Sequence, residues 1–578
     1  MSLNKLIVHA DDLGLSRAFN TAILEAAKAG FLTSTCLRVN GSAYEEAIKE
    51  VLPECPELGM GLHLNLVEGK TTKQQISNSS ELYFTDGTYR LGFVGLYRGR
   101  KSKNLLQEIE GDYRDQIERA LKVCSLDHFN SHQHSHAIPE LFEIVCRLAK
   151  EYGIRYVRLP QERFYYAAPL SRHLTPWYGV NLAKFAILNA QAKRNIETAK
   201  KHGILTNDYF VGISYTARMD ENTLLSGLKA LEKATGLIEV LFHPTKITAE
   251  KDERYLSAEV RDYIIDPARA IELTTLQNAE LLKTIKSKGI HLTNYRRLAA
   301  RDNSPIVPKF RVPKKIQKPF NTFVIIDKTP FYHPEYLYRL ITECPEMNIT
   351  GAALVCLPKG GVLKNYLLKH WRDLGLRELF LLGMKQILMQ VWGKFPRFMR
   401  GNFDASVEAV LKRFNIPFRV VTKVNNAEFL NYLEPFSPDI ILSSNSLIFG
   451  EKLINKAKVA CINRHSAVLP ACGGILPVFR AIEQGHNFTG ATVHHVIKEI
   501  DKGKVLSRQW LPLFPQDRLN HLYRLCFVLS YEATNEAVKR LHKNRDDHVG
   551  NEEITPSYFS YPTSEEWKKF RQNGGKFI

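Results

Sequence analysis

Two sets of residues in this 578-residue chain have types and spacings that could do chemistry. The first opens with Asp11-Asp12 at the end of an apolar run and continues with His63 and Asn65 in Gly59-Met-Gly-Leu-His-Leu-Asn. It closes with Asp127-His-Phe-Asn-Ser-His-Gln-His-Ser-His, where His128, Asn130, His132, His134 and His136 alternate and so share one phase of a strand. An aspartate and two histidines on separate strands, with a spare aspartate beside them, compose a catalytic metal site that keeps positions open for water. Hydrolysis at such a site needs both a ligand and a base, which the Asp11-Asp12 pair can supply. A polar strand edge would account for any single histidine of the group. The second set is Asn463 and His465, then Leu469-Pro470 and Gly473-Gly474, with Asp501 further on. Alone, Asn-x-His is also what a polar turn with a satisfied core histidine looks like.

Positioning these residues requires strands that end on them. Residues 6–10 form a buried strand running into Asp11-Asp12, and Ser16 caps a helix carrying Phe19, Ile23, Leu24 and Ala27 on one face until Gly30. Further strands are expected at 33–39, at the segment bearing His63, at 155–159, at 238–242 ending on His243-Pro244, and at 289–295. Alternating strands and helices with polar residues at strand ends predict an α/β fold, a (β/α) barrel-like domain with its site on the carboxyl face. In the second half, strand-like runs at 322–326, 351–357, 418–421, 439–442 and 459–462 alternate with helical patterns, which predicts a doubly wound, Rossmann-like domain with a mostly parallel sheet. The last run delivers Asn463 and His465 in phase to a loop before an apolar helical pattern at 477–484. No Gly-x-Gly-x-x-Gly follows the first strand, which argues against a dinucleotide. Residues 299–318 are basic, carry three prolines and have no apolar period, so they read as a linker between domains at 1–298 and 319–578.

A chain of this length exceeds one core. Nine cysteines without Cys-x-x-Cys point to reduced thiols, and no stretch approaches a transmembrane span, so a cytoplasmic protein is expected. A formal charge of +19 suits nucleic acid, an anionic membrane face or phosphorylated small substrates; there is no RNA-binding signature, and a solvated basic surface is the plainest reading. Residues 366–398, rich in Leu, Trp, Phe and Met with interspersed basic residues, read as a buried helix pair with exposed charges, a membrane interface or dimer contact being the alternatives.

Asn463, His465, Leu469, Pro470, Gly474, Asp501 and Gly503 resemble the signature of folate-dependent formyltransferases, over about 320–545. The resemblance implies 10-formyltetrahydrofolate as donor, with Leu469, Pro470 and Gly474 in the loop that binds this cofactor. Asn463 would donate to the developing oxyanion, His465 would accept the amine's proton, and Asp501 would orient His465. Only 33 residues follow Arg545, too few for the extra domain of formyltransferases acting on initiator tRNA, so the chain is more similar to those acting on amino sugars; Tyr558, Phe559, Tyr561 and Trp567 would lie in a short hairpin or docking tail. The first half, about 4–298, resembles the YdjC/ChbG-like carbohydrate deacetylases through Ala-Asp-Asp-Leu-Gly, Thr-Ser-Thr, Gly-Leu-His-Leu, Ser-His-Gln-His-Ser-His and Val-Leu-Phe-His-Pro. That resemblance implies a divalent metal on Asp12, His63 and His132, with Asp11 as general base and His243 as general acid. Two imidazoles favour zinc, and a water-rich shell admits magnesium. Asn130 stands where many members have Asp.

These resemblances imply a bifunctional enzyme, a metal-dependent carbohydrate N-deacetylase joined to an N-formyltransferase. It would deacetylate an N-acetylamino sugar, nucleotide-linked or otherwise phosphorylated, and formylate the amine. A barrel acting later as a deformylase, or a tRNA-acting formyltransferase, are the alternatives. No nucleic-acid partner is expected, while peripheral membrane contact and a homodimer stay open.

Overall fold

The computed structural model of the chain describes residues 4–73, 77–247, 257–300, 318–329, 331–356, 376–393, 404–543, 549 and 554–577. It divides into two compact units, Met1–Ile247 with Asp266–Val312, and Thr248–Ile265 with Pro313–Ile578. The expected linker at 299–318 falls outside the described residues except at 299, 300 and 318.

The first unit is a parallel, barrel-like sheet wrapped by helices. Its strands are β1 (Lys5–Leu13), β2 (Ser34–Leu37), β3 (Gly59–Leu64), β4 (His128–Ser131), β5 (Tyr156–Val157), β6 (Tyr209–Val211), β7 (Leu237–Phe242) and β8 (His291–Leu292). They run in the order β5-β4-β3-β2-β1-β7-β6, with β8 on β1, and single bridges Tyr156–Leu205 and Glu162–Phe210 join the two ends. Alternation sorts the side chains. Leu6, Val8, Ala10, Met60, Leu62, Leu64, Phe129, Ile238, Val240 and Phe242 join the helix-facing core, which also takes Ala22 and Ile23 of α1 (Arg17–Ala29) and Leu141, Val145 and Leu148 of α2 (Pro139–Glu151). The opposite face carries His9, Asp11, Gly61, His63, His128, Asn130 and Glu239. Helix α1 starts on the Ser16 hydroxyl, which accepts from Phe19 N, and stops at left-handed Gly30, as the sequence predicts.

Two expectations for this unit fail locally. The strand bearing the histidines ends at Ser131, because the Ser131 hydroxyl accepts from His136 N at 2.8 Å and pulls the chain into a turn with Gln133 and His134 at φ 53° and 56°. The five alternating residues therefore do not share one phase. The last strand is shorter than 289–295 because Asn294 caps a helix over Tyr295–Ala299 through Arg297 N.

The second unit holds β9 (Phe320–Asp327), β10 (Met347–Val355), β11 (Phe418–Val421), β12 (Ile440–Ser444) and β13 (Ala460–His465), all parallel, then antiparallel β15 (Phe488–His495) and β16 (Val505–Pro512). The order β11-β10-β9-β12-β13-β15-β16 reverses direction beside β9, as in doubly wound folds. A long helix, α3 (Leu519–His542), buries Leu522, Cys526, Leu529, Ala533 and Ala537 at helical spacing. The carboxyl-terminal tail forms β17 (Tyr558–Phe559), paired with β14 (Gly473–Gly474), and a capped helix α4 (Ser564–Gln572) whose Trp567 and Phe570 pack on Phe479.

Within 366–398, only the helix Leu376–Gly393 lies among the described residues, and it leaves Phe380, Met384, Ile387, Leu388 and Val391 exposed. These apolar residues recur at helical spacing and are exposed, where the sequence predicts a buried helix with only its charges exposed. Among the described residues no helix is long and apolar enough to cross a membrane.

Candidate active sites

At the carboxyl end of β1, Asp12 takes φ 70°, a left-handed conformation that a non-glycine residue adopts only when its surroundings impose it. Its Oδ1 lies 3.4 Å from His63 Nε2 and 3.3 Å from His132 Nδ1, and the three ligand atoms all fall within 4.8 Å of one another. Asn130 Oδ1 accepts from His63 Nδ1 at 2.8 Å, so the lone pair of His63 sits on Nε2, a buried atom that makes no hydrogen bond. Two imidazoles, one of them with its Nε2 orphaned, and one carboxylate fit a divalent cation. Glu68 and Arg38 complete the surround: Arg38 donates to Glu68 at 2.9 Å and Asp12 at 3.3 Å, and Glu68 lies 3.3 Å from His132 Nε2. Burial would raise the Glu68 carboxyl, but Arg38 and His132 outweigh it and hold it at about 2.

Asp11, beside that centre, has a second set of partners. Arg158 clamps both its oxygens at 2.8 Å, Asn130 Nδ2 donates at 3.1 Å, and Cys36 Sγ lies 3.3 Å away. Burial would raise its pKa, yet Arg158, His63 and His9 together hold it well below the usual carboxylate range. Asn130, the departure from the deacetylase pattern, thus has a physical reason: an amide serves His63 as acceptor and Asp11 as donor, whereas a second carboxylate would repel Asp11. His243, at the end of β7, is buried; burial and then Arg269 push it down to about 3, against the pull of Asp11 and Asp12. His134 and His136 are occupied elsewhere: His134 packs edge-on to Phe210, and His136 bridges Ser131 Oγ and the Arg158 carbonyl. Sequence reasoning missed Arg38, Glu68 and Arg158. It also missed Lys184, which burial, set against Asp11, lowers to about 8.

In the second unit, β13 places Asn463 opposite His494 and His465 opposite Thr492 on β15. The Thr492 hydroxyl accepts from Leu469 N at 3.1 Å and donates to Ala467 O at 2.7 Å, anchoring the loop. His465 Nε2 lies 3.1 Å from the Cys472 carbonyl, which can only accept, so Nε2 carries the proton and a neutral ring keeps its lone pair on Nδ1. Asp501, at φ 56°, brings Oδ2 to 3.7 Å from that Nδ1 and accepts from Gly474 N at 2.8 Å. His494, missed in the sequence, donates from Nδ1 to His495 O at 2.9 Å, which leaves Nε2 to accept from Asn463 Nδ2 at 3.3 Å. Burial first and His465 second lower His494 to about 4, although Asp501 raises it. Asn463, His465 and Asp501 are brought together. Of the loop residues, Leu469 is buried, and Pro470 and Gly474 are bound by the tail.

That tail is part of the site's support. Ser557 Oγ accepts from Cys472 N at 2.9 Å, Ser557 N donates to Pro470 O at 3.0 Å, and Phe559 O accepts from Ile475 N at 2.9 Å. Gly474 sits at φ 90°, and a Cβ there would lie 2.1 Å from Phe559 O, so only glycine admits this strand.

Residues 5–287 match the YdjC-like protein family and residues 405–538 the formyl transferase family. A carbohydrate deacetylase of Brevibacillus brevis is 30% identical over 299 residues, 51% of this chain and 99% of the relative; one of Clostridium beijerinckii is 28% identical over 293 residues, 50% and 99%. A methionyl-tRNA formyltransferase of Thermotoga maritima is 30% identical over 136 residues, 23% of this chain and 44% of the relative, so the chain spans less than half of that protein. Through its first half the chain belongs to the YdjC-like family of carbohydrate deacetylases, and its second half carries a formyl transferase domain.

Proposed function

We propose that the chain is a bifunctional enzyme that hydrolyses the acetamide of an N-acetylamino sugar and formylates the resulting amine from 10-formyltetrahydrofolate, with the two activities in domains at 1–298 and 319–578. The observation that carries this reading is the pairing on one chain of an Asp12–His63–His132 cluster beside a clamped Asp11 with an Asn463–His465–Asp501 cluster. Amide hydrolysis yields an amine, which is the nucleophile that formyl transfer consumes.

Asp12, His63 and His132 would hold a divalent ion, zinc before magnesium, which polarises the acetamide carbonyl and acidifies water when bound. Asp11, ionised throughout the physiological range, takes the proton of the attacking water. His243 is neutral at pH 7, so the proton it delivers to the leaving amine reaches it within the same turnover. In the second site, His465 accepts the amine's proton on Nδ1, its Nε2 being committed to Cys472, and Asp501 stabilises the imidazolium. Asn463 gives one N–H to His494 and the other to the formyl oxygen as charge develops. The +19 charge supports an anionic substrate, a nucleotide-linked or phosphorylated sugar. Nine free cysteines support a cytoplasmic setting.

The test is mass spectrometry of products from a panel of N-acetylamino sugars with zinc and 10-formyltetrahydrofolate. Conversion of N-acetyl to N-formyl sugar is expected. Hydrolysis of N-formyl but not N-acetyl sugars would instead make the barrel a deformylase.

A further inference from the structure

Beneath the metal-ligand cluster, titratable side chains run through the interior of the first unit in unbroken contact. Asp127 Oδ1 lies 2.5 Å from His128 Nδ1, and His128 Nε2 lies 2.9 Å from His9 Nε2. His9 Nδ1 lies 3.0 Å from Arg158 Nη2 and 3.1 Å from Asp11 Oδ1. Asp127 immediately precedes β4 and Asp11 sits near the carboxyl end of β1, so the chain of contacts links the two ends of a parallel sheet. It is a built feature. A Cβ on Gly61 would lie 2.3 Å from the His128 ring, so the ring's place depends on glycine there, and Asp127 Oδ2 is held by Met60 N at 2.8 Å.

With one proton on each ring, the donors and acceptors admit one assignment, set from the Asp127 carboxylate inward. His9 Nδ1 faces a donor, Arg158 Nη2, and an acceptor, Asp11 Oδ1, and it accepts from Nη2 when the Asp127 end holds the His9 proton on Nε2. Burial, and then Arg158, lower His9 to about 4, which keeps it neutral with its proton on Nε2. That proton is donated to His128 Nε2, which leaves the His128 proton on Nδ1, where the Asp127 carboxylate accepts it. Each tautomer forces the next. If the far end were released, His128 could carry its proton on Nε2 and His9 would turn its own onto Nδ1, against the Arg158 N–H. Arg158 Nη2 would then lose its His9 acceptor, leaving Glu239 and Asp11 to hold the guanidinium, and the His9 proton would face Asp11 Oδ1.

We infer that Asp127 and His128, at the end of the sheet opposite the metal-ligand cluster, are positioning residues for Asp11: through His9 they fix the orientation in which Arg158 holds that carboxylate. This rests on the proposed hydrolase reading for its effect on rate, and on geometry alone for its effect on His9.

Full-length protein loaded with zinc tests it. His128→Phe keeps a ring packed near Tyr295, 4.5 Å between centroids in the native pair, and removes both nitrogens. The expected result is a fall in kcat for N-acetyl sugar hydrolysis of about 10- to 100-fold, with KM and bound zinc unchanged, the scale seen when an orienting partner is removed. Asp127→Asn keeps the acceptor for His128 Nδ1 while losing the bond from Met60 N, so it should keep the His9 tautomer and lose less kcat than Asp127→Leu, which should match His128→Phe and serves in its place if that variant does not fold. Nitrogen-15 NMR of the histidines supplies the readout independent of turnover: His9 protonated on Nε2 in wild type and Asp127→Asn, and no longer so in Asp127→Leu. Unchanged kcat, or an unchanged His9 tautomer, overturns the inference. A wild-type enzyme that hydrolyses no acetamido sugar sinks the functional reading instead, and the nitrogen shifts alone then decide the positioning claim.

Discussion

Asn130 Nδ2 donates to Asp11 Oδ1 across 3.1 Å while Asn130 Oδ1 accepts from His63 Nδ1, so one amide joins the carboxylate outside the ligand cluster to a histidine within it. Asn130→Asp keeps the acceptor for His63 and sets a second carboxylate beside Asp11. Zinc affinity should persist while hydrolysis at pH 7 falls about tenfold; Asn130→Ala, which lets His63 turn, should weaken zinc binding about 10- to 100-fold. Zinc titration and initial rates on the same preparations check both.

Asp11 and Asp12 are neighbours in sequence with separate partners in space. Asp11→Asn should retain zinc and lose about 10²- to 10⁴-fold in hydrolysis, the range for a general base, while His63→Ala should lose the metal as well. Metal content after dialysis separates the two, and normal hydrolysis by Asp11→Asn would remove the base from the proposal.

For the second site, Asn463→Ala and His465→Ala should each reduce formylation of a supplied free amino sugar by about 10² or more, since each removes a contact to developing charge. His494→Leu should follow in the same direction by releasing the Asn463 amide. Deacetylation should persist in all three; its loss in well-folded variants would mean that the two activities share one site.

Gly474→Ala tests the tail. The new Cβ would collide with Phe559 O and the residue would have to hold φ 90°, a strain of about 1–3 kcal/mol if the strand stays paired. Formylation should fall at least about tenfold and hydrogen exchange at Gly473 and Ile475 should quicken, because local opening frees those amides.

Asp327, at the end of β9, gives a stability signature. Burial raises its carboxyl to about 6, with Ser446 N and Arg464 opposing, so the folded chain holds this proton more tightly than the unfolded chain does. Its ionisation therefore costs stability progressively from about pH 4, the unfolded value, through about pH 6, and the cost is complete above that. Asp327→Asn should stabilise by on the order of 2 kcal/mol at about pH 8 and by nothing near pH 3.5. Denaturant melts at the two pH values check the difference.

The sequence by itself determined the two α/β halves, the capped helix α1 and the strands delivering Asp12, His63, Asn463 and His465, all of which rest on local signals, periodicity and caps. The grouping of Asp12 with His63 and His132 came through the resemblance to the carbohydrate deacetylases. Tertiary structure alone decided what surrounds them. Arg158 clamps Asp11 from 147 residues away, Arg38 and Glu68 enclose Asp12 and His132, and His494 holds Asn463 across antiparallel strands. No periodicity encodes such pairings, because they depend on register between strands distant in sequence. The histidine run failed for a related reason: alternation predicted one strand face, and a single Ser131 hydroxyl bonding His136 N turned the chain after one ligand. The tail was legible as a short aromatic hairpin or docking segment, without the surface on which it docks. That Ser557–Phe559 holds the loop carrying Cys472, and so sets which nitrogen of His465 is free, is decided by backbone hydrogen bonds, which every residue can make, proline as acceptor alone, and which therefore leave no mark in the sequence beyond Gly474.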